Sequence, residues 1–142
     1  MSGPWPSIRL AIRVYFYDTD AGGVVHNIAY LRMIEAARTE LAASLGWTSA
    51  EMIHGPLGCP VVTRTEIDYL KPARLGDLLM VESSLARVES VRFIITTDVT
   101  REGEEKPLCR ARQTLVTVDL ATGRPKALRE DWRERWIGEN EE

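Results

Sequence analysis

The sequence predicts an α+β domain, one long helix wrapped by an antiparallel sheet of five strands. Three observations point there. A run rich in branched and aromatic residues near the N-terminus reads as a strand, a single helical stripe follows it, and four β-branched runs then succeed one another with turn residues between them. With 142 residues and 44% hydrophobic content the chain makes one domain over 1–142, large enough for a real core and too small for two.

Taken in order, Ile8 to Tyr17 (IRLAIRVYFY) is the first strand, and its loose alternation at Arg13-Val14-Tyr15-Phe16 suits a strand covered on both faces. From Ile28 to Leu45 the apolar residues Tyr30, Ile34, Ala37, Leu41 and Leu45 recur at steps of three and four, which is one face of a helix, and Gly46 stops it. Thr48-Ser49-Ala50-Glu51 has the form of a capping box, so a short second helix runs toward Gly55. The remaining strands are Val61 to Tyr69, Leu78 to Val88, Val91 to Arg101 and Leu108 to Asp119. Turn chemistry at Lys71-Pro72 to Gly76-Asp77, at Glu89-Ser90 and at Glu102-Gly103-Glu104 predicts that they meander as antiparallel neighbours. After a turn at Ala121 to Arg124, Leu128, Trp132 and Trp136 share one face of a short closing helix. A lone sheet has a second face. Val61, Ile67, Leu79, Phe93, Ile95 and Val116 are expected to make that face apolar, with a second copy of the chain as its simplest cover.

Composition excludes several function classes. A net charge of -3 and no basic stripe argue against nucleic acid as a partner. Residues 1–10 (MSGPWPSIRL) lack a secretory start, and no apolar run approaches membrane-spanning length, so a cytoplasmic protein without membrane insertion is expected. The two cysteines, Cys59 and Cys109, form neither a disulfide framework nor a metal pair, and read as small buried apolar residues. His26 and His54 have no metal-ligand spacing, and no phosphate-loop, dinucleotide or G-x-S-x-G pattern occurs.

Chemistry concentrates in one segment, YDTDAGGVVHNIAY, Tyr17 to Tyr30. Asp18 and Asp20 beside glycines are compatible with simple turn formation. Two features favour a site. Gly22 and Gly23 stand where side chains would crowd a ligand, and the segment leads into the long helix, whose first amides have no partners within the helix and can stabilise an anion or the oxygen of an acyl group under attack. Asp20 is the nearest carboxylate to act beside those donors as nucleophile or base.

RVYFYDTDAGGVVHNIAYLRMIEAARTE (Arg13 to Glu40), with YLKPARLGD (Tyr69 to Asp77) and VDLATGRPKAL (Val118 to Leu128), resembles the 4-hydroxybenzoyl-CoA thioesterase family. The resemblance is nearest to its bacterial branch of acyl-CoA thioesterases associated with the Tol-Pal gene cluster. It implies the hotdog fold, and homo-oligomers in which two sheets join, commonly paired again into tetramers. It also implies hydrolysis of an acyl-CoA, short aliphatic or aromatic, with no cofactor beyond the coenzyme A of the substrate and no metal. On this resemblance Asp20 is the catalytic carboxylate, either attacking the thioester or activating water, and the main-chain amide of Asn27 polarises the thioester oxygen. Asp18 is expected to orient the loop. Gly23, Val25 and His26 are candidate substrate contacts, and Lys71, Arg74, Arg92 and Lys126 are candidate partners for the phosphates of coenzyme A. Glu35 and Arg38 match the family's helix pattern and are expected to form an ion pair one turn apart or an oligomer contact. Two alternatives stay open: an aromatic specialist acting on hydroxybenzoyl-CoA or dihydroxynaphthoyl-CoA, and a scaffold that holds acyl-CoA or an acyl carrier protein without turnover.

Overall fold

The structure, a computed structural model, describes residues 5–128. In chain order its elements are β1 (Ser7–Arg13), one 3-10 turn (Phe16–Asp18), α1 (Asn27–Ser44), α2 (Ser49–His54), β2 (Cys59–Tyr69), β3 (Leu78–Val88), β4 (Arg92–Arg101) and β5 (Pro107–Val118). All five strands lie in one sheet, ordered β1-β3-β4-β5-β2 with every neighbouring pair antiparallel. The long helix lies across one face of it, as expected.

The helix buries the predicted stripe. Tyr30, Met33, Ile34, Ala37 and Leu41 are buried; Tyr30, Met33 and Ala37 pack with Leu79, Val81 and Val99 of the sheet, and Leu41 with Leu85, Ile95 and Leu115. Each such side chain removed from water contributes about 1.5–3 kcal/mol before conformational entropy is charged against it, so this stripe fixes the helix on the sheet. At its C-terminal end Gly46 takes φ +87°, the Gly46 N–H donates to the Ala43 carbonyl (3.0 Å) and the Trp47 N–H to the Ala42 carbonyl (2.9 Å). That pair of bonds needs a left-handed residue, which is why a glycine ends the helix.

Four expectations are corrected. The first strand stops at Arg13: β1 is an edge strand that alternates half-buried and exposed, and beyond it the chain turns, because the Asp18 carboxylate takes the Tyr15 N–H and closes the 3-10 turn. β2 does not form a hairpin with β3. It pairs with β5 at the opposite edge, and residues 70–77 cross the end of the sheet over about 14 Å, three inter-strand spacings. Turn residues mark where a chain changes direction but not how far it then travels.

The second sheet face is not the apolar surface expected. Ile67, Leu79, Phe93 and Ile95 face the helix, and of the expected residues only Val61 and Val116, paired with each other, point outward, beside Glu82, Ser84, Thr96, Asp98, Arg110 and Arg112 on β3, β4 and β5. Exposed apolar surface lies instead on β2, where Val61, Val62 and Tyr69 face solvent. At α2, Thr48 caps the Glu51 N–H at 3.2 Å, but the Glu51 carboxylate lies over Gly55 and not back at Thr48, so the box is half made. The expected closing helix at Trp132 and Trp136 lies outside the described residues; Leu128 is buried in the core.

Candidate active site

The segment between β1 and α1 is held by its own polar groups. Asp18 is 1% exposed; its Oδ2 accepts the Tyr15 N–H at 3.0 Å and its Oδ1 accepts from the half-exposed Arg32 of α1. The Arg32 guanidinium also stands 5.6 Å over the Tyr17 ring. Asp18 is thereby committed to tying the turn to the helix, and its carbonyl takes the His26 N–H at 3.1 Å.

Two residues on, Asp20 is exposed at an open cleft of about 730 Å³, whose lining includes Val24, Val25, His26, Asn27, Tyr69 and Lys71. Oδ1 of Asp20 accepts the Gly22 N–H at 2.8 Å and the Val24 N–H at 3.4 Å, which orients the carboxylate. Oδ2 has no donor among the described residues, so one oxygen is anchored and one is available. Gly23 takes φ +77°, which disfavours any side chain there, although an added Cβ would meet nothing within 4 Å. Its requirement within the chain is therefore conformational, and its carbonyl binds the Leu75 N–H at 3.0 Å.

The helix start completes the site. His26 is the N-cap: its Nδ1 accepts the Ala29 N–H at 3.2 Å, which in the neutral ring leaves the proton on Nε2. The N–H groups of Asn27 and Ile28 have no acceptor among the described residues, and they sit at the positive end of an 18-residue helix. Such donors are suited to an oxygen that gains negative charge.

The opposite wall comes from distant sequence. The Tyr69 hydroxyl donates to the Asn27 carbonyl at 3.5 Å, and its ring stands 5.5 Å from that of Tyr30. The Tyr30 hydroxyl in turn accepts the buried Ala73 N–H at 3.2 Å, and the Val25 N–H donates to the Ala73 carbonyl at 2.8 Å. Burial pushes the Tyr30 phenol above its ordinary value against the opposing effect of the Ala73 amide. Arg101 clamps the same loop through Nε to Asp77 Oδ2 (2.9 Å) and Nη2 to the Pro72 carbonyl (3.0 Å). Sequence reasoning missed the roles of Tyr69, Tyr30 and Arg101. Tyr30 and Tyr69 stand inside recognisable motifs, whereas nothing local marks Arg101.

Of the predicted site residues, Asp20, Val25, His26, Asn27 and Lys71 line one cleft, with Gly23 in its loop. Arg74 is exposed nearby, bridged to Val24. Arg92 and Lys126 are not brought there: Arg92 opens β4, about 30 Å along the strand from Arg101, and the Lys126 N–H binds the Thr117 carbonyl near that same far end. Glu35 and Arg38 form the expected pair at 3.4 Å, away from Asp20, and Arg38 also donates to Gln113 Oε1 at 2.6 Å. Among the described residues no group of three or more His, Cys, Asp or Glu side chains is arranged for a metal ion, and no helix is long and apolar enough to cross a membrane.

Residues 14–136 match the thioesterase-like superfamily. Acyl-CoA thioesterase YbgC of Haemophilus influenzae is 36% identical over 116 residues, 82% of this chain and 84% of that protein. Long-chain acyl-CoA thioesterase FadM of Escherichia coli is 33% identical over 131 residues, 90% of this chain and 96% of that one. A thioesterase from Thermus thermophilus, solved in complex with coenzyme A and zinc, superposes with a TM-score of 0.78 at 31% identity, covering 100% of this chain and 99% of that one.

Proposed function

The chain belongs to the thioesterase-like superfamily, and from that premise we propose that it hydrolyses acyl-CoA thioesters with Asp20 as the working carboxylate and the Asn27 N–H as oxyanion donor. The observation that carries the proposal is the shared cleft: a carboxylate with one free oxygen and a helix start with unpartnered amides line the same opening. The narrower placement in the 4-hydroxybenzoyl-CoA family and its Tol-Pal-associated branch rests on the resemblance of Arg13 to Glu40, Tyr69 to Asp77 and Val118 to Leu128.

The thioester carbonyl oxygen sits at the helix start, where the amides stabilise the charge that develops on it. Asp20 Oδ2 either attacks the carbonyl carbon, giving an anhydride that water cleaves, or takes a proton from the attacking water. In both routes the carbon–sulfur bond breaks, coenzyme A leaves as its thiolate, and the acid is released. Lys71 at the cleft and Arg74 beside it are positioned to meet phosphates.

Asp20→Asn tests this reading. An amide oxygen can keep the bonds from Gly22 and Val24, so the turn survives, while the carboxylate chemistry is lost. Release of coenzyme A thiol from a panel of short, long and aromatic acyl-CoAs is expected to fall about 10²–10⁴-fold. Full activity in the variant removes Asp20 from the mechanism. We also propose a homo-oligomer joined through β2, supported by the exposure of its side chains along both faces; light scattering reads the size. An acyl carrier protein remains a proposed alternative carrier of the acyl group.

A further inference from the structure

We propose that the acyl tail of the substrate leaves the Asp20 cleft along α1 and ends in a second, apolar cavity, which makes the enzyme selective for long, unbranched acyl groups. This rests on the thioesterase reading above and adds to it the class of acyl group.

Three openings lie in sequence on one side of α1. The first is the cleft at the helix start, which Ile28 lines. The second is a shallow groove of about 300 Å³ lined by Ile28, Leu31, Glu35, Arg38, Val62 and Gln113. The third is a cavity of about 200 Å³ whose lining includes Ala42, Leu45, Trp47, Met52, Phe93 and Leu115. Ile28 belongs to the first two openings, while Glu35 and Arg38 belong to the last two. Ile28, Leu31, Glu35, Arg38, Ala42 and Leu45 recur at steps of three and four, so they form a single stripe flanking the buried face of the helix, about a quarter-turn from Tyr30, Ala37 and Leu41.

The stripe begins with apolar side chains left in water. Ile28 is 72% exposed and Leu31 39% exposed, an arrangement a folding core does not need and a hydrocarbon chain would cover. Arg38 stands at the waist. Its guanidinium is tied across to Gln113 of β5 at 2.6 Å and faces Glu35 at 3.4 Å, so its methylene stem is the apolar part it offers the passage.

Length follows from the helix. At 1.5 Å per residue, Glu35 lies about 12 Å and Arg38 about 16 Å along the axis from the Asn27 amide. Carbon–carbon bonds of about 1.52 Å at about 111° advance an extended chain by about 1.25 Å per bond. A tail therefore needs about 10 to 13 carbons to reach the cavity, and only longer tails gain from its apolar lining.

The experiment is an acyl-length series, from about 8 to 18 carbons and below micelle formation, on the wild type and on Ala42→Trp, which fills the cavity. In the wild type kcat/KM is expected to climb beyond about 12 carbons by up to about fourfold per methylene. The palmitoyl-to-octanoyl ratio then exceeds tenfold and drops by at least tenfold in the variant. If Ala42→Trp gives no cooperative melt, Met52→Trp from the opposite wall takes its place. A wild-type ratio near one, or a ratio unchanged in a folded variant, overturns the tail path while leaving the thioesterase reading intact. Turnover of no acyl-CoA in this series or in the short and aromatic panel overturns both.

Discussion

Replacing Asn27 by proline isolates one hydrogen atom. Asn27 is the first residue of α1, its N–H has no acceptor among the described residues, and proline is favoured at that helix position because the amide it lacks is unpaired there anyway. His26, the residue before it, already has φ -80° and ψ 157°, the extended region that a following proline demands. The bond from the Tyr69 hydroxyl goes to the Asn27 carbonyl, which proline keeps. Stability should thus stay within about 0.5 kcal/mol of wild type. If the amide stabilises the oxyanion, its loss lowers kcat by about 10²–10³, or about 3–4 kcal/mol of transition-state stabilisation, with little change in KM. Asn27→Ala, which retains the N–H, should stay within a few-fold of wild type. Thiol release and thermal melts on both variants decide the matter. Wild-type kcat in the proline variant, or an equal loss in the alanine variant, refutes the role of the amide.

Three further expectations follow from the geometry. Asp18→Ala leaves the Tyr15 N–H without its partner and should lower stability by about 2 kcal/mol, most of the half-exposed Arg32 charge being rehydrated; a urea midpoint unchanged from wild type would contradict the tether. His26→Ala should lose about 1 kcal/mol by removing the N-cap, and His26→Asn should restore it in the same melt. The Cys109 thiol is pushed up to about 12 and the Tyr30 phenol is raised, both mainly by burial. The unfolded thiol ionises near its ordinary value, so the contribution to stability is intact below about pH 9 and is lost as pH rises toward about 12. Urea melts at pH 8 and 10.5 should show that loss, and Cys109→Ala should flatten it.

The apolar periodicity of Tyr30, Ile34, Ala37 and Leu41 was enough to locate α1 and its inner face, because a helix repeats its own geometry along the chain. The four later strand runs were legible for the same reason, and so was the start of the helix seven residues beyond Asp20. The order of strands was not. Whether β2 adjoins β3 or β5 depends on where residues 70–77 are anchored, and those anchors, Arg101 to Asp77 and Tyr30 to Ala73, join residues 24 and 43 positions apart.

The division between the two aspartates has the same origin. Turn chemistry alone does not separate Asp18 from Asp20, which the family resemblance told apart; in the fold Asp18 is sealed against Arg32 while Asp20 faces the cleft. Local periodicity and turn chemistry are encoded within a few residues, so the chain alone determined its later strands, its one-helix plan and the segment proposed to hold the site. Burial and long-range hydrogen bonds exist only once distant segments meet, so the tertiary structure alone decided which carboxylate is free, which strand lies at the edge, and which positive charges reach the cleft.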